Sequence, residues 1–376
     1  MKNFLTFLLG VFIFAGIYWF VFHKTPEVRT FEKNVLAAKQ GDSQAMLQVG
    51  IAYEQGTGTK PDKDQAVDFY RQAASAGNTA ATYRLAQVYE EGVLVPQDLE
   101  EAFVYYQLAA SQGNAQAQTA LSRFYKQSLG SAPQSDGEAL LWLIRAAKQD
   151  EPAALQSIEA AQEQRPELYQ EVLAFSDLFD KTVQEQDPQD AFSLAKFYRS
   201  GTLIVRNDEE AFRLFKMAWE KDNTLSQAAV EMAEMYLLGE GVEKDENKAL
   251  ELYVKAAELQ NPQAQYFLGK RSYEGNPPNY QDAFAWFSNA AEQGYAPAQY
   301  MTGYMLLQGQ GTGQSYKLAV DFFTKAADQD YASAQYVLGQ MYWKGLGVKK
   351  NIKKGRSWLE KAAANGNASA QAFLAD

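Results

Sequence analysis

Apolar and polar positions follow the period of an α-helix through most of this chain, and the pattern itself repeats about every 36 residues. Pairs of alanines mark the repeats, and they begin at Ala37, Ala73, Ala109, Ala146, Ala256, Ala290, Ala326 and Ala362. Ala218, followed by Trp219, marks the same place in a divergent unit. Successive steps are 36, 36, 37, 72, 38, 34, 36 and 36 residues. Because 72 is two periods, a degenerate unit lies within 151–187. A fixed period of this length predicts tandem units that each pack on their neighbours.

Each unit is predicted to contain two helices. The first has the pattern A-x-x-x-L-G-x-x-Y, and spacings of four place Ala334, Leu338 and Tyr342 on one face. Gly339 in this pattern lets a neighbouring backbone approach closely. A glycine turn follows, and a second helix again has an apolar stripe. Ser272 and Leu306 replace the tyrosine, and Ser128 replaces a turn glycine.

Residues of N-cap type precede the second helices. They are Asp62, Asp98, Ser135, Asn207, Asp245, Asn279, Ser315 and Asn351. Their side-chain oxygens can accept hydrogen bonds from otherwise unpaired N–H groups in the first helical turn. Gln65, Glu101, Glu138 and Glu210 stand three residues later, so the sequence also predicts capping boxes there.

The predicted domains follow from these units. Residues 25–150 form a first arm, with a lone second helix at Phe31 to Gly41 and three repeats. Residues 151–187 form the degenerate repeat, whose helices start at Pro152 and Pro166 because proline suits the first helical turn. Residues 188–376 form a second arm of five repeats, and 367–376 open a further first helix as a cap.

The N-terminal segment, residues 1–24, has a different pattern. Phe4 to Phe22 contain no charge, and a helix of this length spans about 28 Å, close to the hydrocarbon core of a bilayer. A cleaved signal peptide is the alternative, but bulky aromatic residues stand where small residues are needed for cleavage. We expect an uncleaved single-pass anchor in an inner membrane, with an exported, periplasmic solenoid. The flanking lysines and arginines leave the cytoplasmic face as the alternative.

The composition excludes several classes of partner and of catalytic or metal site. The formal net charge of −11 argues against nucleic acid as the main partner. The chain has no cysteine, and its one histidine, His23, lies at the edge of the apolar segment. Catalytic triads that use histidine, thiolate sites and histidine metal clusters therefore lack their residues. We expect no catalytic, metal-binding or cofactor-binding residues and no enzymatic activity.

The repeated pattern, A-x-x-x-L-G-x-x-Y-x-x-G-x-G-V followed by A-x-x-Y/F-x-x-A-A-x-x-G, resembles the Sel-one-like repeat (SLR) family, which is related to tetratricopeptide repeats. The resemblance covers about residues 27–376 and implies an all-α, right-handed superhelical α/α solenoid. With the anchor, the expected fold is about nine helix-pair repeats plus one N-terminal transmembrane helix. Family members act as scaffolds, often in bacterial envelopes. Some members that pair cysteines bind ligands resembling cell-wall components, and this chain lacks those cysteines.

Two features are candidate partner-binding sites. Tyr266, Tyr300 and Tyr336 recur at one repeat position, where they either line a groove or, in the preferred interpretation, pack between repeats. The last repeat is basic and includes Lys349, Lys350, Lys353 and Lys354. A solvated cap and a docking site for an anionic partner both remain open.

The expected function is that of a membrane-tethered, non-enzymatic protein–protein interaction scaffold. The assembly would belong to a bacterial cell envelope, of the secretion, pilus or polysaccharide-export type. The alternative is a periplasmic module that recognises peptidoglycan or another glycan along a concave face.

Overall fold

The computed structural model describes residues 25–375, and within this range it contains twenty α-helices and no β-strand. The helices are α1 Pro26–Lys39, α2 Ser43–Gln55, α3 Lys63–Ser75, α4 Thr79–Glu91, α5 Leu99–Ser111, α6 Ala115–Gln127, α7 Asp136–Ala147, α8 Pro152–Gln164, α9 Pro166–Glu185, α10 Pro188–Ser200, α11 Asp208–Lys221, α12 Ser226–Leu238, α13 Glu246–Glu258, α14 Pro262–Glu274, α15 Tyr280–Glu292, α16 Ala296–Gln308, α17 Tyr316–Ala327, α18 Ala332–Lys344, α19 Ile352–Ala364 and α20 Ala368–Ala375.

Helices α2 to α19 form nine consecutive pairs, and a single helix stands at each end. The prediction of an all-α solenoid of nine helix pairs is therefore confirmed, while its superhelical handedness stays a prediction. The predicted membrane anchor, Phe4 to Phe22, lies outside the described residues. Among residues 25–375, no helix is both long and apolar enough to cross a bilayer.

The chain divides into two compact units. One extends to Asp180 and includes Gly201–Val205, and the other contains Lys181–Ser200 and the chain from Arg206 onward. The predicted arm boundaries at 150/151 and 187/188 stay a prediction.

The first unit has its core between successive helices. One cluster surrounds Tyr70 and Leu85, and the next surrounds Tyr106, Leu121 and Phe124. Each cluster takes side chains from at least three helices, because the apolar stripe of one helix is covered only by its neighbours. Burial of one such aliphatic or aromatic side chain contributes about 1.5–3 kcal/mol.

The second unit also has its core between successive helices. Phe287 and Met305 form one cluster, and Phe323, Leu338 and Met341 form another. Gly339 lies under the second helix of its own repeat. A β-carbon there would lie 2.8 Å from Leu359 Cγ and 3.0 Å from the carbonyl oxygen of Gly355. The predicted close backbone approach at Gly339 is therefore confirmed.

The eight predicted caps all begin second helices. In each case the cap side chain accepts a hydrogen bond from a backbone N–H in the first turn; Asn351 Oδ1, for example, accepts from the N–H of Lys354 at 3.0 Å. The start of each second helix could thus be predicted from one residue.

The predicted capping boxes are wrong. Each cap residue's own N–H donates to a carbonyl at the end of the preceding helix, as from Asp62 to Tyr53 and from Asn207 to Tyr198, both at 2.9 Å. The N–H that Gln65 or Glu210 would have bound is therefore already paired. Glu210 forms an ion pair with Arg213 instead.

Helices α8 and α9 begin at Pro152 and Pro166, as predicted. Helix α9 has 20 residues, whereas the other paired helices have 12 to 14, so the degenerate repeat departs from the others in length. Ser128 takes the left-handed conformation of the missing glycine, with φ 54°, and its Oγ donates to the carbonyl of Ala132 at 3.0 Å.

Candidate functional site

A groove of about 910 Å³ opens on the first unit. Three first helices form its floor, namely α4, α6 and α8, and α7 and the start of α9 complete it. The first helices align because each starts one period after the last. The degenerate repeat contributes α8, so the helices that sequence reasoning treated as irregular form part of this site.

Most residues that line the groove have polar side chains, with charges of both signs. The polar side chains are Tyr83, Gln87, Glu90, Tyr106, Gln116, Thr119, Ser122, Arg123, Lys126, Asp136, Glu151, Ser157, Gln164 and Arg165. Small residues, including Ala153, Ala160 and Ala161, leave room along α8. Sequence reasoning missed this groove, because it needs side chains from helices that are one and two periods apart.

One wall is fixed by a bond network across the repeat boundary. Glu90, near the end of α4, accepts a 2.6 Å hydrogen bond from the hydroxyl of Tyr106 on α5. It also forms an ion pair with Arg123 on α6, in the next repeat. Together these bonds hold three helices in register at the groove.

The same arrangement occurs one repeat earlier. Glu54 accepts from the hydroxyl of Tyr70 and forms an ion pair with Arg84. Burial raises the pKa of Tyr70, and the neighbouring Glu54 carboxylate raises it further. Burial also acts to raise the pKa of Glu54, but the hydrogen bonds from Arg84 and Tyr70 outweigh it and leave that pKa lowered.

The other end of the groove has different contacts. Asp136, in the first turn of α7, forms an ion pair with Arg165. Glu151 caps α8 through the N–H of Ala154 at 2.7 Å and also accepts from Thr119 Oγ1 at 3.0 Å. Lys126 forms no ion pair with another residue of 25–375. The groove therefore contains paired charges and one cation, Lys126, that has no ion-pair partner among the described residues.

The candidate tyrosines lie on α14, α16 and α18 of the second unit, and all three are half-buried. The Tyr266 ring lies 5.5 Å from the rings of both Phe287 and Tyr295. The Tyr300 ring lies 5.8 Å from that of Phe323 and 5.4 Å from that of Tyr331.

Tyr336 has a different setting. Its hydroxyl accepts a 2.7 Å hydrogen bond from Gln340 on the same helix.

Burial raises the pKa of Tyr266 and of Tyr300. Partly accessible rings thus recur along three successive first helices.

The glutamine that precedes each of these tyrosines forms hydrogen bonds to the preceding repeat. Gln265, Gln299 and Gln335 are buried, and each Nε2 donates to an alanine carbonyl at the end of the preceding repeat. Their side-chain oxygens accept from Gln293, Gln329 and Asn365, respectively. This glutamine ladder joins successive repeats, and the recurrence of Gln before Tyr was its only signal in the sequence.

The candidate lysines are all exposed. Lys349 and Lys350 lie in the turn before α19, and Lys353 and Lys354 lie in its first turn. Lys354 Nζ donates to the hydroxyl of Tyr342 at 2.8 Å. The structure therefore brings the four lysines together, in the turn before α19 and in the first turn of α19.

No group of three or more His, Cys, Asp or Glu side chains within 25–375 is placed to hold a metal ion. The chemistry on these surfaces is hydrogen bonding, ion pairing and aromatic contact.

This architecture defines an α-helical repeat protein of the helix-pair class. The Sel1 repeat model matches eight segments, at 43–78, 79–114, 115–151, 188–223, 226–261, 262–295, 296–331 and 332–367, and the chain belongs to the Sel1 repeat family. Proteins of this family are generally protein–protein interaction scaffolds and are typically non-catalytic. The degenerate pair falls outside the matched segments.

Solved structures include similar chains. A Sel1 repeat protein from Oxalobacter formigenes is 27% identical, with 91% of this chain and 89% of that chain covered and a TM-score of 0.47. A protective antigen with an SLR fold from uropathogenic Escherichia coli is 25% identical, with the same coverage and a TM-score of 0.34. An immunity protein from Pseudomonas aeruginosa is 27% identical, covers 49% of this chain and 69% of its own, and has a TM-score of 0.34.

Proposed function

We propose that this protein is a membrane-tethered, non-enzymatic scaffold that binds a partner protein in a bacterial cell-envelope assembly of the secretion, pilus or polysaccharide-export type. The groove on the first unit carries the proposal. Most residues that line it have polar side chains, and its floor comes from three successive first helices, α4, α6 and α8. Such a surface fits an extended protein segment, whose backbone and side chains need many hydrogen-bond partners.

The composition of the groove favours a protein over a glycan in this unit. Paired charges at Glu90/Arg123 and Asp136/Arg165 provide fixed donors and acceptors, and Lys126 adds a cation without an ion-pair partner among residues 25–375. Glycan sites instead rely on several accessible aromatic faces, whereas the aromatic rings in this groove are Tyr83, which is half-buried, and Tyr106, which is buried. Fixed groups also lower the entropy that a complex loses on forming.

The test fills the groove without disturbing the core. Ala160 is an exposed residue of α8 that lines the groove, so Ala160→Trp should block it sterically. Ala80→Trp is the matched control, because Ala80 is exposed at the start of α4 and does not line the groove. After crosslinking in membranes, partner proteins should no longer be recovered with Ala160→Trp. They should be recovered as before with Ala80→Trp. Full recovery with Ala160→Trp would remove the groove from the proposal.

The tether and its orientation are part of the same proposal. The sequence of Phe4 to Phe22 supports an inner-membrane anchor, with the repeats in the periplasm. Protease added to spheroplasts should then digest the repeats, and the mature chain should retain its N-terminal segment by mass spectrometry. Protection from protease would move the repeats to the cytoplasmic face.

A second candidate is binding of peptidoglycan or another glycan by the second unit. The observation that favours it is the set of half-buried rings at Tyr266, Tyr300 and Tyr336, since aromatic faces stack on sugars. Purified sacculi should then retain the protein, and replacement of the three tyrosines by alanine should release it. Ala160→Trp should leave this binding unchanged, which separates the two candidates.

A further inference from the structure

The charge in the first turn of the second helices changes from negative to positive along the second unit. Helix α11 begins with Asp208, Glu209 and Glu210, α13 has Glu246, and α15 has Asp282. Helices α17 and α19 have no acidic residue there, and α19 has Lys353 and Lys354 instead. Carboxylates suit the positive end of a helix dipole and cations do not. The lysines of α19 thus occupy a place that is unfavourable for the stability of their own helix.

Within residues 25–375, the lysines Lys349, Lys350, Lys353 and Lys354 also lack carboxylate ion-pair partners. Lys248 occupies the position in α13 that Lys354 occupies in α19, and its Nζ forms an ion pair with the cap, Asp245, at 3.1 Å. In the last repeat the cap is Asn351, and Lys354 lies against Tyr342, 4.4 Å from the ring centroid. Lys349, Lys350 and Lys353 form no ion pair within the described part of the chain. Their charges are therefore available to something outside it.

Exposed apolar side chains stand among these lysines. Leu346 in the turn is 36% exposed, and Ile352 at the start of α19 is 48% exposed. The turn rests on the preceding repeat, because a β-carbon on Gly347 would collide with the carbonyl oxygen of Tyr316. Tyr316 and Leu318 are exposed there as well. Lysines and apolar residues thus form one continuous edge, which we call the basic edge: residues 316–318 and 346–354.

We propose that the basic edge docks on the surface of an anionic lipid bilayer. Clustered lysines are attracted to the negative potential of anionic lipid headgroups, and protruding Leu346 and Ile352 can enter the boundary between headgroups and acyl chains.

The basic charges of the edge point to a bilayer and not to an acidic protein. All of them are lysines. Lysine acts as a flexible point charge, whereas recognition of individual carboxylates favours the bidentate geometry of arginine. A diffuse array of phosphates therefore matches this edge better than a few fixed carboxylates.

This inference goes beyond the proposed function and involves neither the groove nor the tyrosines. In a chain that is also tethered through its N-terminal segment, a second contact with the same membrane would form at high effective concentration. The last repeat would then be held at the bilayer surface, with its charge contact sensitive to ionic strength.

The absence of cysteine allows a site-specific test on the full chain. A polarity-sensitive fluorophore is attached to Leu346→Cys, and in a second protein to Val93→Cys, which occupies the same repeat position and is 62% exposed. Each protein is combined with vesicles of phosphatidylcholine alone or with one-third phosphatidylglycerol. At position 346 we expect a blue-shifted emission and quenching by lipid-attached quenchers in the anionic vesicles only. High salt should reverse both effects, and position 93 should not respond.

A charge-reversal variant completes the experiment. Lys349, Lys350, Lys353 and Lys354 are changed together to Glu in the Leu346→Cys chain, and the response should fall at least tenfold while helicity by circular dichroism is retained. The control reverses four other exposed lysines, Lys216, Lys244, Lys255 and Lys270, with the same change in net charge. An unresponsive probe at position 346, or equal losses in the two quadruple variants, would overturn the proposal. An unresponsive probe together with loss of a crosslinked protein would assign the edge to an acidic protein instead.

Discussion

The backbone N–H of Asn351 donates a 2.9 Å hydrogen bond to the carbonyl oxygen of Tyr342, nine residues earlier. An equivalent bond closes the turn in the other seven repeats with a predicted cap, including those where Ser272 and Leu306 replace the tyrosine. It spans nine residues in five of them, ten from Ser135 to Tyr125 and seven from Asn279 to Ser272. Because the acceptor is a backbone carbonyl, the side chain at the tyrosine position is free to vary. The cap side chain, in contrast, supplies an oxygen that only a few residue types have.

The first prediction therefore concerns the cap. Asn351→Ala should lower the free energy of unfolding by about 1 kcal/mol, because the N–H of Lys354 loses its acceptor. Asn351→Asp should retain the stability, since its carboxylate accepts the same bond and suits the helix dipole. Urea unfolding followed by circular dichroism measures both. Equal losses would mean that the side-chain bond is not what stabilises this helix start.

The helical register gives the second prediction. Leu338 is fully buried, so Leu338→Ala should cost about 2–5 kcal/mol through lost apolar burial and the cavity left behind. Lys350 is exposed on the turn before α19, and Lys350→Ala should change stability by no more than about 0.5 kcal/mol. The comparison of unfolding midpoints is the measurement. Similar effects at the two positions would contradict the register of α18.

Local rules were enough to predict much of this fold. The helix starts at Pro152 and Pro166 depend on the fixed φ of proline, and the second-helix starts depend on one cap side chain. The capping boxes failed because two acceptors compete for one N–H. Which acceptor is nearer depends on how the glycine turn closes, and a pattern of residue types does not give that distance.

The contacts on the surface could be predicted less well from the sequence. The partners of Glu90 come from α5 and α6, and Arg123 lies 33 residues away. Any of several charged residues one period away could have been the partner, and only the packed helices select one. The lysines of the last repeat were visible as a charge cluster, but exposed Leu346 and Ile352 became part of it only when their burial was known.

The third prediction is a pH dependence in the first unit. The pKa of Glu54 is lowered in the folded protein, because its bonds to Arg84 and Tyr70 outweigh the effect of burial. A carboxyl of this kind stabilises the fold above its unfolded pKa, about 4.3, and that stabilisation is lost as the pH falls through the folded pKa. Glu54→Gln should therefore flatten the loss of stability on acidification. Chemical unfolding at a series of pH values from about 7 to 3 tests this.

The fourth prediction concerns Glu138, whose contribution to stability should depend on pH in the opposite sense to that of Glu54. Burial raises the pKa of Glu138. Its contribution is therefore favourable at low pH and is lost as the pH rises through the folded pKa. Glu138→Gln should raise stability at neutral pH relative to the parent, and its amide oxygen can still accept from the N–H of Val205. Parallel pH profiles for the two variants would contradict both assignments.

The last prediction tests the glutamine ladder. Gln299 is 4% exposed, and its Nε2 donates to the carbonyl of Ala291 at 3.2 Å while its oxygen accepts from Gln329 at 2.9 Å. Gln299→Leu retains a similar volume but leaves the carbonyl of Ala291 without this side-chain donor and Gln329 without one acceptor. Ala291 keeps its backbone bond from Gly294, and Gln329 keeps its bond to the carbonyl of Gly294, so the change removes two hydrogen bonds and leaves neither group unpaired. A typical hydrogen bond contributes about 0.5–1.5 kcal/mol, so the free energy of unfolding should fall by about 1–3 kcal/mol. Gln72→Leu is the control, since Gln72 is exposed on α3 and should tolerate the same change within about 0.5 kcal/mol. If Gln299→Leu is equally silent, apolar packing alone joins these repeats, and the ladder is a consequence of the fold and not one of its supports.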